Sequence, residues 1–330
     1  MQSNQSHAKT DIHCHLEACF RHQTLIDIGD RAGIAVPRDE EEFKRDYLVA
    51  EPQKNLEETI KGFDRVRALW LDPAAITRLT KEAVEDAASQ NVKLLELRYS
   101  PDFIQNGREI SFDAIHHAIL DGIEAANRPI AVGLIGIIRR TLPIQEAAQI
   151  ADFIISNADT FVGMDLADQE IGYPGRGFAK LFHKAKNKGL GITVHAGEVS
   201  LGESRRNVRD AIELMGADRI GHGLHIAGDP DLIELVLDHD ITLELCPSSN
   251  LLTGSVPSLA DHPFKALMTA GVKTTINTDD PALFAIDWNS EYDLAQTSLG
   301  LTPNEISQCV STARAASFIP QAQIDAISWS

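Results

Sequence analysis

Strand-like and helix-like segments alternate along most of this 330-residue chain. Short apolar runs predict strands, and amphipathic segments between them predict helices. Strands are expected at Lys9–Leu16, Val92–Tyr99, Ile130–Ile138, Thr160–Leu166, Gly191–Glu198, Arg219–Gly223, Ile241–Cys246 and Lys273–Thr278. Eight such βα units favour a (β/α)₈ barrel of the TIM type. A doubly wound open sheet is the alternative, but no G-x-G-x-x-G motif follows the first strand.

The longest break in this alternation follows the first predicted strand. Helical patches at Thr24–Ala32, Asp39–Tyr47 and Leu56–Leu69 are separated by prolines. A segment of this length, about residues 24–73, exceeds a plain connection and predicts a helical lid beside an active site. Because no Pro/Ser-rich linker or shift in composition interrupts the chain, residues 1–330 are expected to form a single domain.

Charge and composition narrow the possible partners. The net charge of −18 argues against nucleic acid and anionic membranes, which bind clustered Lys and Arg. No apolar run approaches the roughly 18 residues of a membrane helix, and the polar start at Met1–Thr10 does not resemble a secretion signal. The four cysteines lack a C-x-x-C pair, which indicates reduced thiols. We expect a cytoplasmic protein that acts on a small molecule, with its oligomeric state left open.

Ionisable side chains stand where several predicted strands end. In Asp11–Glu17 every odd position is polar, so His13 and His15 share one strand face. Three further strand ends carry His195, His222 and Asp279. Because the carboxyl ends of barrel strands meet at one rim, these five side chains are expected to converge there.

Each of these residues taken alone has an ordinary structural interpretation. A single buried histidine is more often a hydrogen-bonded core residue than a ligand, and a half-buried surface strand shows the same alternation as Asp11–Glu17. Burying five such groups together would cost several kcal/mol unless they are paired or bind a metal. Three imidazoles and a carboxylate (His13, His15, His195 and Asp279) favour Zn²⁺ over Mg²⁺. Bound Zn²⁺ lowers the pKa of water to about 7, which supplies a nucleophile.

Residues next to these ligands suggest the chemistry. Glu198 can carry a proton beside the substrate, and His222 can take a proton from the attacking water or stabilise the charge that develops. Asp280 is suited to holding the substrate. Structural alternatives remain for all three, since Glu198 can cap a turn, His222 can pack in the core, and Asp280 can form a turn before Pro281.

Several motifs of this chain resemble the adenosine and adenine deaminase family. They are His13–Leu16, Met164–Ala167, Val194–Glu198, Gly221–Gly223, Cys246–Asn250 and Asn277–Pro281. They occur in order from about Thr10 to Tyr292, nearly the whole chain. The resemblance implies a metal-dependent hydrolase barrel that converts a 6-aminopurine to a 6-oxopurine and ammonia.

The resemblance also implies roles for individual residues. One zinc ion would be bound by His13, His15, His195 and Asp279, and the fourth strand carries no Lys that could bridge a second metal. Glu198 would protonate purine N1, His222 would activate the water that attacks C6, and Asp280 would hold N7. The substrate-binding set implied is His15, Glu17, Asp168 and Asp280.

Two departures from the family pattern concern the substrate. Glu17-Ala18 stands where adenosine deaminases usually have Asp-Gly, and Glu at this position resembles the adenine-specific branch. The segment with Asp168 and Glu170 is more similar to the nucleoside branch, although Asp168 replaces a glycine whose backbone N–H meets purine N3. The sequence favours adenosine or a 5′-modified adenosine, with adenine as the alternative. A metal-dependent esterase or lactonase and a non-catalytic purine-binding protein are alternatives of other classes.

Overall fold

The computed structural model describes residues 7–54, 56–199 and 202–329. Within these ranges, eight parallel strands pair in chain order to form one sheet, with helices between them. The strands are β1 Lys9–His15, β2 Val92–Tyr99, β3 Ala131–Arg139, β4 Phe161–Ala167, β5 Gly191–Ala196, β6 Arg219–His222, β7 Thr242–Leu245 and β8 Lys273–Ile276. The predicted (β/α)₈ barrel is confirmed.

Helices lie between the strands, and three of them match the helical patches predicted after the first strand. They are α1 His22–Ala32, α2 Glu40–Tyr47, α3 Leu56–Arg67, α4 Pro73–Ser89, α5 Pro101–Gln105, α6 Phe112–Ala126, α7 Ile144–Ser156, α8 Ala179–Lys186, α9 Gly202–Glu213, α10 Pro230–Asp238, α11 Pro247–Leu252, α12 Phe264–Thr269, α13 Trp288–Thr297, α14 Pro303–Ala316 and α15 Gln321–Asp325. Helices α5, α11 and α15 have only five or six residues, too few to complete the periodic pattern that predicts a helix. At the start of α4 the Asp72 side chain caps the helix by accepting a hydrogen bond from the Ala75 N–H at 2.8 Å.

The sheet closes between β8 and β1 at the rim where the strands end. Strand β8 stops at Ile276, two residues earlier than predicted, because the Asn277 side chain replaces strand pairing by donating to the Leu245 carbonyl and accepting from the Ile12 N–H. Asp279 therefore lies three residues beyond β8 and not at its end. Its N–H donates to the His13 carbonyl at 2.9 Å, and its carbonyl accepts from the His15 N–H at 2.7 Å. This bridge joins two parts of the predicted metal site.

Charged side chains are buried inside the barrel. Arg98 pairs with Asp165 at 2.8 Å and with Glu244 at 2.8 Å. Arg219 pairs with Glu244 and with Glu96, each at 2.6 Å. Every one of these charges has an opposite partner, which offsets the cost of removing it from water. No pattern in the sequence predicted this network.

The segment after α14 covers the other end of the barrel, where the strands begin. The Phe318 ring stacks on the Arg219 guanidinium, with 3.7 Å from Cζ to the ring centroid. The Phe318 N–H donates to Glu96 at 2.6 Å. A side chain on Gly191 would overlap with the Phe318 ring, so a glycine at the start of β5 provides the space for it.

The insertion after β1 is helical, as predicted, and forms α1, α2 and α3. Side chains of α3, among them Leu56, Ile60 and Phe63, line a cavity at the carboxyl end of the barrel. Within the described ranges, no helix combines the length and the apolar character needed to cross a bilayer.

Candidate active site

A cavity of about 280 Å³ opens at the carboxyl ends of the strands. Its walls include nearly all of the residues that the sequence singles out: His15, Glu17, Asp168, His195, Glu198, His222, Asp279 and Asp280. His13 is fully buried directly beside this group. The structure therefore brings all nine predicted site residues together, although they come from distant parts of the chain.

The four predicted metal ligands converge on one point. His13 Nε2 and His15 Nε2 each lie 3.2 Å from Asp279 Oδ1. His15 Nε2 lies 3.3 Å from His195 Nε2, and one ligand atom from each of the four residues falls within 4.8 Å of the others. Ligand atoms at about 2.0–2.1 Å from a tetrahedral Zn²⁺ stand roughly 3.4 Å from one another. The spacing of these atoms fits such an ion.

Buried carboxylates set the direction of two of the imidazoles. His13 Nδ1 donates to Glu244 at 2.6 Å, and His195 Nδ1 donates to Asp165 at 3.0 Å. The proton on Nδ1 leaves the Nε2 lone pair of each ring facing the other ligands. His13 Nε2 is buried without a hydrogen-bond partner, and burial lowers the pKa of His195 to about 4, so the His195 ring is neutral. Against the effect of burial, Asp279 and Glu244 raise the pKa of His13 to about 8, so a cation bound at its Nε2 would take the place of a proton. Neutral imidazoles with free lone pairs are the chemical form that binds a metal.

Three of the site residues, His222, Asp279 and Asp168, have a positive φ. His222 has φ of +63° and Asp279 has φ of +62°, both in the left-handed region. This region is unfavourable for residues other than glycine and occurs often at functional sites. At Asp279 the backbone bridge to β1 maintains the conformation.

Glu198 and His222 stand at the edge of the ligand cluster. His222 Nε2 lies 3.7 Å from Glu198 Oε2 and 3.9 Å from Asp279 Oδ2. Burial raises the pKa of Glu198 to about 8, with further contributions from Asp279 and Glu170. At neutral pH this carboxyl is protonated and has a proton to donate.

Glu170 holds the loop that carries Glu198. Its carboxylate accepts hydrogen bonds from the N–H groups of Gly197, Glu198 and Val199, at 3.0, 3.2 and 3.3 Å. The Asn207 amide also donates to it, at 3.2 Å. The sequence analysis associated Glu170 only with a family-like segment, whereas the structure shows that it anchors the predicted proton donor.

The remaining acidic residues face the cavity in forms suited to donating hydrogen bonds. Asp280 Oδ1 is buried without a partner, and burial and the adjacent Asp279 raise the pKa of Asp280 well above its usual range. Glu17 accepts from the Ser100 N–H at 2.7 Å through one oxygen, while its other oxygen is buried without a partner. Burial raises the pKa of Glu17 to about 8. Glu17 is therefore protonated near neutral pH, and the pKa of Asp280 is shifted in the same direction.

Asp168 keeps the backbone conformation that a glycine would adopt. Its φ is +83°, and its carboxylate accepts from the Thr141 hydroxyl and, at 2.7 Å, from the Gln169 N–H. Local hydrogen bonds of this kind allow aspartate to occupy the left-handed region. Asp168 therefore occupies a backbone conformation that favours glycine.

The sequence analysis missed the residues that support the site from within the barrel. Glu244 is the only charged residue of its predicted strand, and Asp165 is the only one of its own. A charged side chain inside an otherwise apolar strand is the signal that could have revealed them.

Together the fold and the site define a class of protein. A parallel (β/α)₈ barrel with three imidazoles and a carboxylate at its carboxyl end, and a protonated acid beside them, is a hydrolase barrel of the amidohydrolase type with a metal cofactor. The family model described as adenosine deaminase matches residues 8–328. The chain belongs to the adenosine deaminase family and is a purine-deaminating hydrolase.

Individual relatives agree with this family. The chain is 37% identical over 300 residues to an adenosine deaminase of Serratia proteamaculans, covering 90% of each protein. A crystal structure of an amidohydrolase from Burkholderia ambifaria, with bound Zn, superposes with a TM-score of 0.86 at 26% identity, over 98% of this chain and 88% of that one. The structure of Arabidopsis ADAL complexed with IMP gives a TM-score of 0.84 at 27% identity, over 98% and 95% of the two chains.

Proposed function

We propose that this protein is a zinc-dependent hydrolase that deaminates adenosine, or a 5′-modified adenosine, at purine C6. The observation that carries the proposal is the convergence of His13, His15, His195 and Asp279, with one ligand atom each within 4.8 Å, beside a buried Glu198. The products are the 6-oxopurine and ammonia.

Known relatives support this assignment. The Serratia protein, at 37% identity, is an adenosine deaminase. The Burkholderia amidohydrolase contains Zn, and the Arabidopsis protein is complexed with IMP, which carries a 6-oxopurine. By analogy, the cavity of this chain would bind a purine, with C6 next to the ligand cluster.

The proposed zinc ion would be held by the Nε2 atoms of three histidines and by Asp279. When bound, Zn²⁺ makes water a nucleophile at neutral pH. Glu244 and Asp165 hold His13 and His195 with their lone pairs toward the ion. The other oxygen of Asp279 accepts from the Ser249 hydroxyl at 2.7 Å, which limits the rotation of that carboxylate.

Two buried carboxyls carry the purine chemistry. Glu198 donates its proton to N1, which removes electron density from C6 and makes it more open to attack by water. Asp280 has a raised pKa and no internal partner for Oδ1, which suits it to donate a hydrogen bond to N7, where the purine carries a lone pair. His222 contacts the attacking oxygen. As water adds to C6, one of its protons goes to the amino group, which leaves as ammonia. The other proton returns to Glu198, while N1 keeps the proton that Glu198 donated and C6 becomes a carbonyl carbon.

A second candidate function is the deamination of free adenine, which the Glu17 side chain favours. Glu17 is one methylene longer than the aspartate usual in adenosine deaminases and leaves less room for a sugar. The segment with Asp168 and Glu170 favours a nucleoside. We therefore propose adenosine first and adenine second.

An absorbance assay separates these possibilities. Purified protein loaded with Zn²⁺ is mixed with adenosine, 5′-methylthioadenosine or adenine, and the loss of absorbance near the adenine maximum is followed. We expect turnover of at least one of the two nucleosides, its loss after treatment with a chelator, and its return with Zn²⁺. Turnover of adenine alone would contradict the nucleoside proposal. Thermal stabilisation by nucleosides without any product would indicate a binding protein.

We further propose a single-domain cytoplasmic enzyme in which α1–α3 act as a lid. Helix α3 lines the cavity, which supports the role of a lid. Cys14, Cys19, Cys246 and Cys309 are buried free thiols, which supports a reducing compartment. The net charge of −18 supports a small-molecule substrate rather than nucleic acid.

A further inference from the structure

A row of buried side chains leads from His222 away from the cavity to the start of α12. His222 Nδ1 lies 3.1 Å from the Asn250 Nδ2 atom, and Asn250 Oδ1 lies 3.1 Å from His262 Nε2. The row ends at the Phe264 backbone N–H, which donates to His262 Nδ1 at 3.2 Å. The three side chains are 1%, 0% and 8% exposed, so water does not compete for these hydrogen bonds.

The backbone group at the end of the row determines the direction of every hydrogen bond in it. An N–H can only donate, so His262 Nδ1 accepts, and the neutral ring carries its proton on Nε2. Burial lowers the pKa of His262 to about 4, which keeps the ring neutral. His262 Nε2 then donates to Asn250 Oδ1, and the Asn250 amide presents its N–H to His222. His222 Nδ1 must accept, and its ring proton therefore lies on Nε2.

This choice of tautomer matters because His222 Nε2 is the nitrogen that faces the cavity. It is the atom that lies 3.7 Å from Glu198 Oε2 and 3.9 Å from Asp279 Oδ2. A neutral ring with its proton on Nε2 donates a hydrogen bond toward the oxygen that attacks C6. The opposite tautomer would present a lone pair at the same place.

We propose that Asn250 and His262 are positioning residues that hold His222 in the tautomer with its proton on Nε2. The proposal rests on the proposed deaminase function for its catalytic consequence. His222 then stabilises charge on the attacking oxygen by donating a hydrogen bond, and Glu198 supplies the proton for N1. Neither Asn250 nor His262 lines the cavity.

The tautomer can be measured without turnover. The protein is labelled with ¹⁵N-histidine and loaded with Zn²⁺, and the ring nitrogens are observed by NMR. The His222 signals are assigned by their absence in His222→Gln. We expect Nε2 of His222 to have the chemical shift of a protonated nitrogen and Nδ1 that of an unprotonated one. A proton on Nδ1 would overturn the proposal even if the enzyme deaminates adenosine.

Two substitutions at Asn250 separate tautomer control from packing. Asn250→Asp keeps the shape but replaces the donor by an acceptor, which draws the His222 proton to Nδ1. We expect kcat to fall by about 10²- to 10⁴-fold with little change in KM. Asn250→Ala removes the contact without forcing either tautomer, so its loss of kcat should be smaller. A packing role predicts the opposite order, and that order would refute the proposal.

His262 provides a matched pair of variants that does not alter the neighbour of His222. His262→Phe keeps an aromatic ring but has no donor for Asn250, and we expect kcat to fall by about tenfold. His262→Gln restores an N–H donor and should recover most of that loss. Equal activity in His262→Phe and His262→Gln would overturn the proposal. This test remains decisive even if Asn250→Asp does not fold. If wild-type protein deaminates no purine while NMR shows the proton on Nε2, the proposed function fails and the positioning remains.

Discussion

The Nδ1 atom of His13 lies 2.6 Å from Oε2 of Glu244, inside the barrel and below the cavity. Both side chains are fully buried. The same carboxylate is bound by Arg98 at 2.8 Å and by Arg219 at 2.6 Å, so its position is determined from two sides. A carboxylate fixed in this way directs the Nε2 lone pair of His13 into the ligand cluster.

Replacing Glu244 is expected to weaken metal binding. Glu244→Gln keeps the shape but removes the charge that orients His13 and balances Arg98 and Arg219. The dissociation constant for Zn²⁺, measured by competition with a chromophoric chelator, should rise by about 10- to 100-fold. Glu82→Gln is a matched control, since Glu82 is also buried but binds Thr24 at 2.6 Å, away from the site. An unchanged dissociation constant in Glu244→Gln would contradict the orienting role.

Replacing Glu198 is expected to block catalysis while leaving the metal in place. Glu198→Gln can still donate a hydrogen bond to N1 but cannot transfer a proton. We expect kcat for adenosine to fall by about 10²- to 10⁴-fold, with Zn²⁺ affinity close to that of wild type. Glu203→Gln, on the exposed start of α9, serves as the control. Largely intact turnover of adenosine in Glu198→Gln would contradict its role as the proton donor. Hydrolysis of an ester or lactone that does not depend on Glu198 would favour a metal-dependent esterase or lactonase.

Glu17 is expected to contribute to nucleoside binding. Its buried, unpartnered oxygen faces the cavity, and Glu17→Ala removes this hydrogen-bonding group. We expect KM for adenosine to rise by about tenfold with kcat nearly unchanged, because the lost contact does not change during the reaction. Since Glu17 is protonated below a pKa of about 8, Glu17→Gln should resemble wild type at pH 7. Equal effects on adenosine and adenine would argue against a sugar contact.

A buried histidine outside the site should make stability depend on pH. His116 is 1% exposed and contacts the Tyr99 hydroxyl at 2.8 Å and the Thr160 hydroxyl at 2.7 Å. Burial lowers its pKa to about 4, below the ordinary value of 6.5, so the unfolded chain binds a proton more readily. The contribution of neutral His116 to the free energy of unfolding is present above pH 6.5 and is lost as the pH falls toward 4.

Urea unfolding tests this pH dependence. Between pH 7 and pH 5, wild type should lose about 1–2 kcal/mol of stability through His116. His116→Gln, which does not titrate, should lose less stability over the same range. In His239→Gln, changed at an exposed position after α10, the free energy of unfolding should depend on pH as it does in wild type. The same pH dependence in wild type and His116→Gln would show that His116 does not cause the loss of stability.

Gly191 and Phe318 allow a test of how the segment after α14 packs on the end of the barrel where the strands begin. A methyl group on Gly191 overlaps with the Phe318 ring, so Gly191→Ala should destabilise the protein by about 1–3 kcal/mol or more. Phe318→Ala creates room, and the double variant should lose less than the sum of the two single losses. Gly177→Ala, where no atom lies within 4 Å of the new methyl, is the control. Additive losses would mean that the two residues do not compete for space.

Much of the site could be predicted because its chemistry is local in sequence. The alternation in Asp11–Glu17 places His13 and His15 on one strand face, and the position of Glu198 after His195 places it beside the ligands. Asp279 was predicted at a strand end, whereas it reaches the site through a backbone bridge to β1. That bridge forms only when the barrel closes, and no local pattern in the sequence predicts it.

The supporting residues could not be predicted with the same rules. Glu244 and Asp165 occupy strands whose neighbours are apolar, and their partners lie far away in sequence. Asn250 and His262 belong to loops and short helices whose hydrogen bonds become defined only when α12 packs beside the site. Periodicity describes one element at a time, while these contacts join different elements.

By itself, the sequence determined the types of ligand and the strand faces that carry them, because side chains alternate along a strand with a period of two. It also determined the order of eight βα units, and with it the rim where the ligands meet. Only the tertiary structure decided the ligand spacing, the protonation of the buried carboxyls and the imidazole tautomers. These properties depend on burial and on distances between remote residues, which exist only once the barrel has closed.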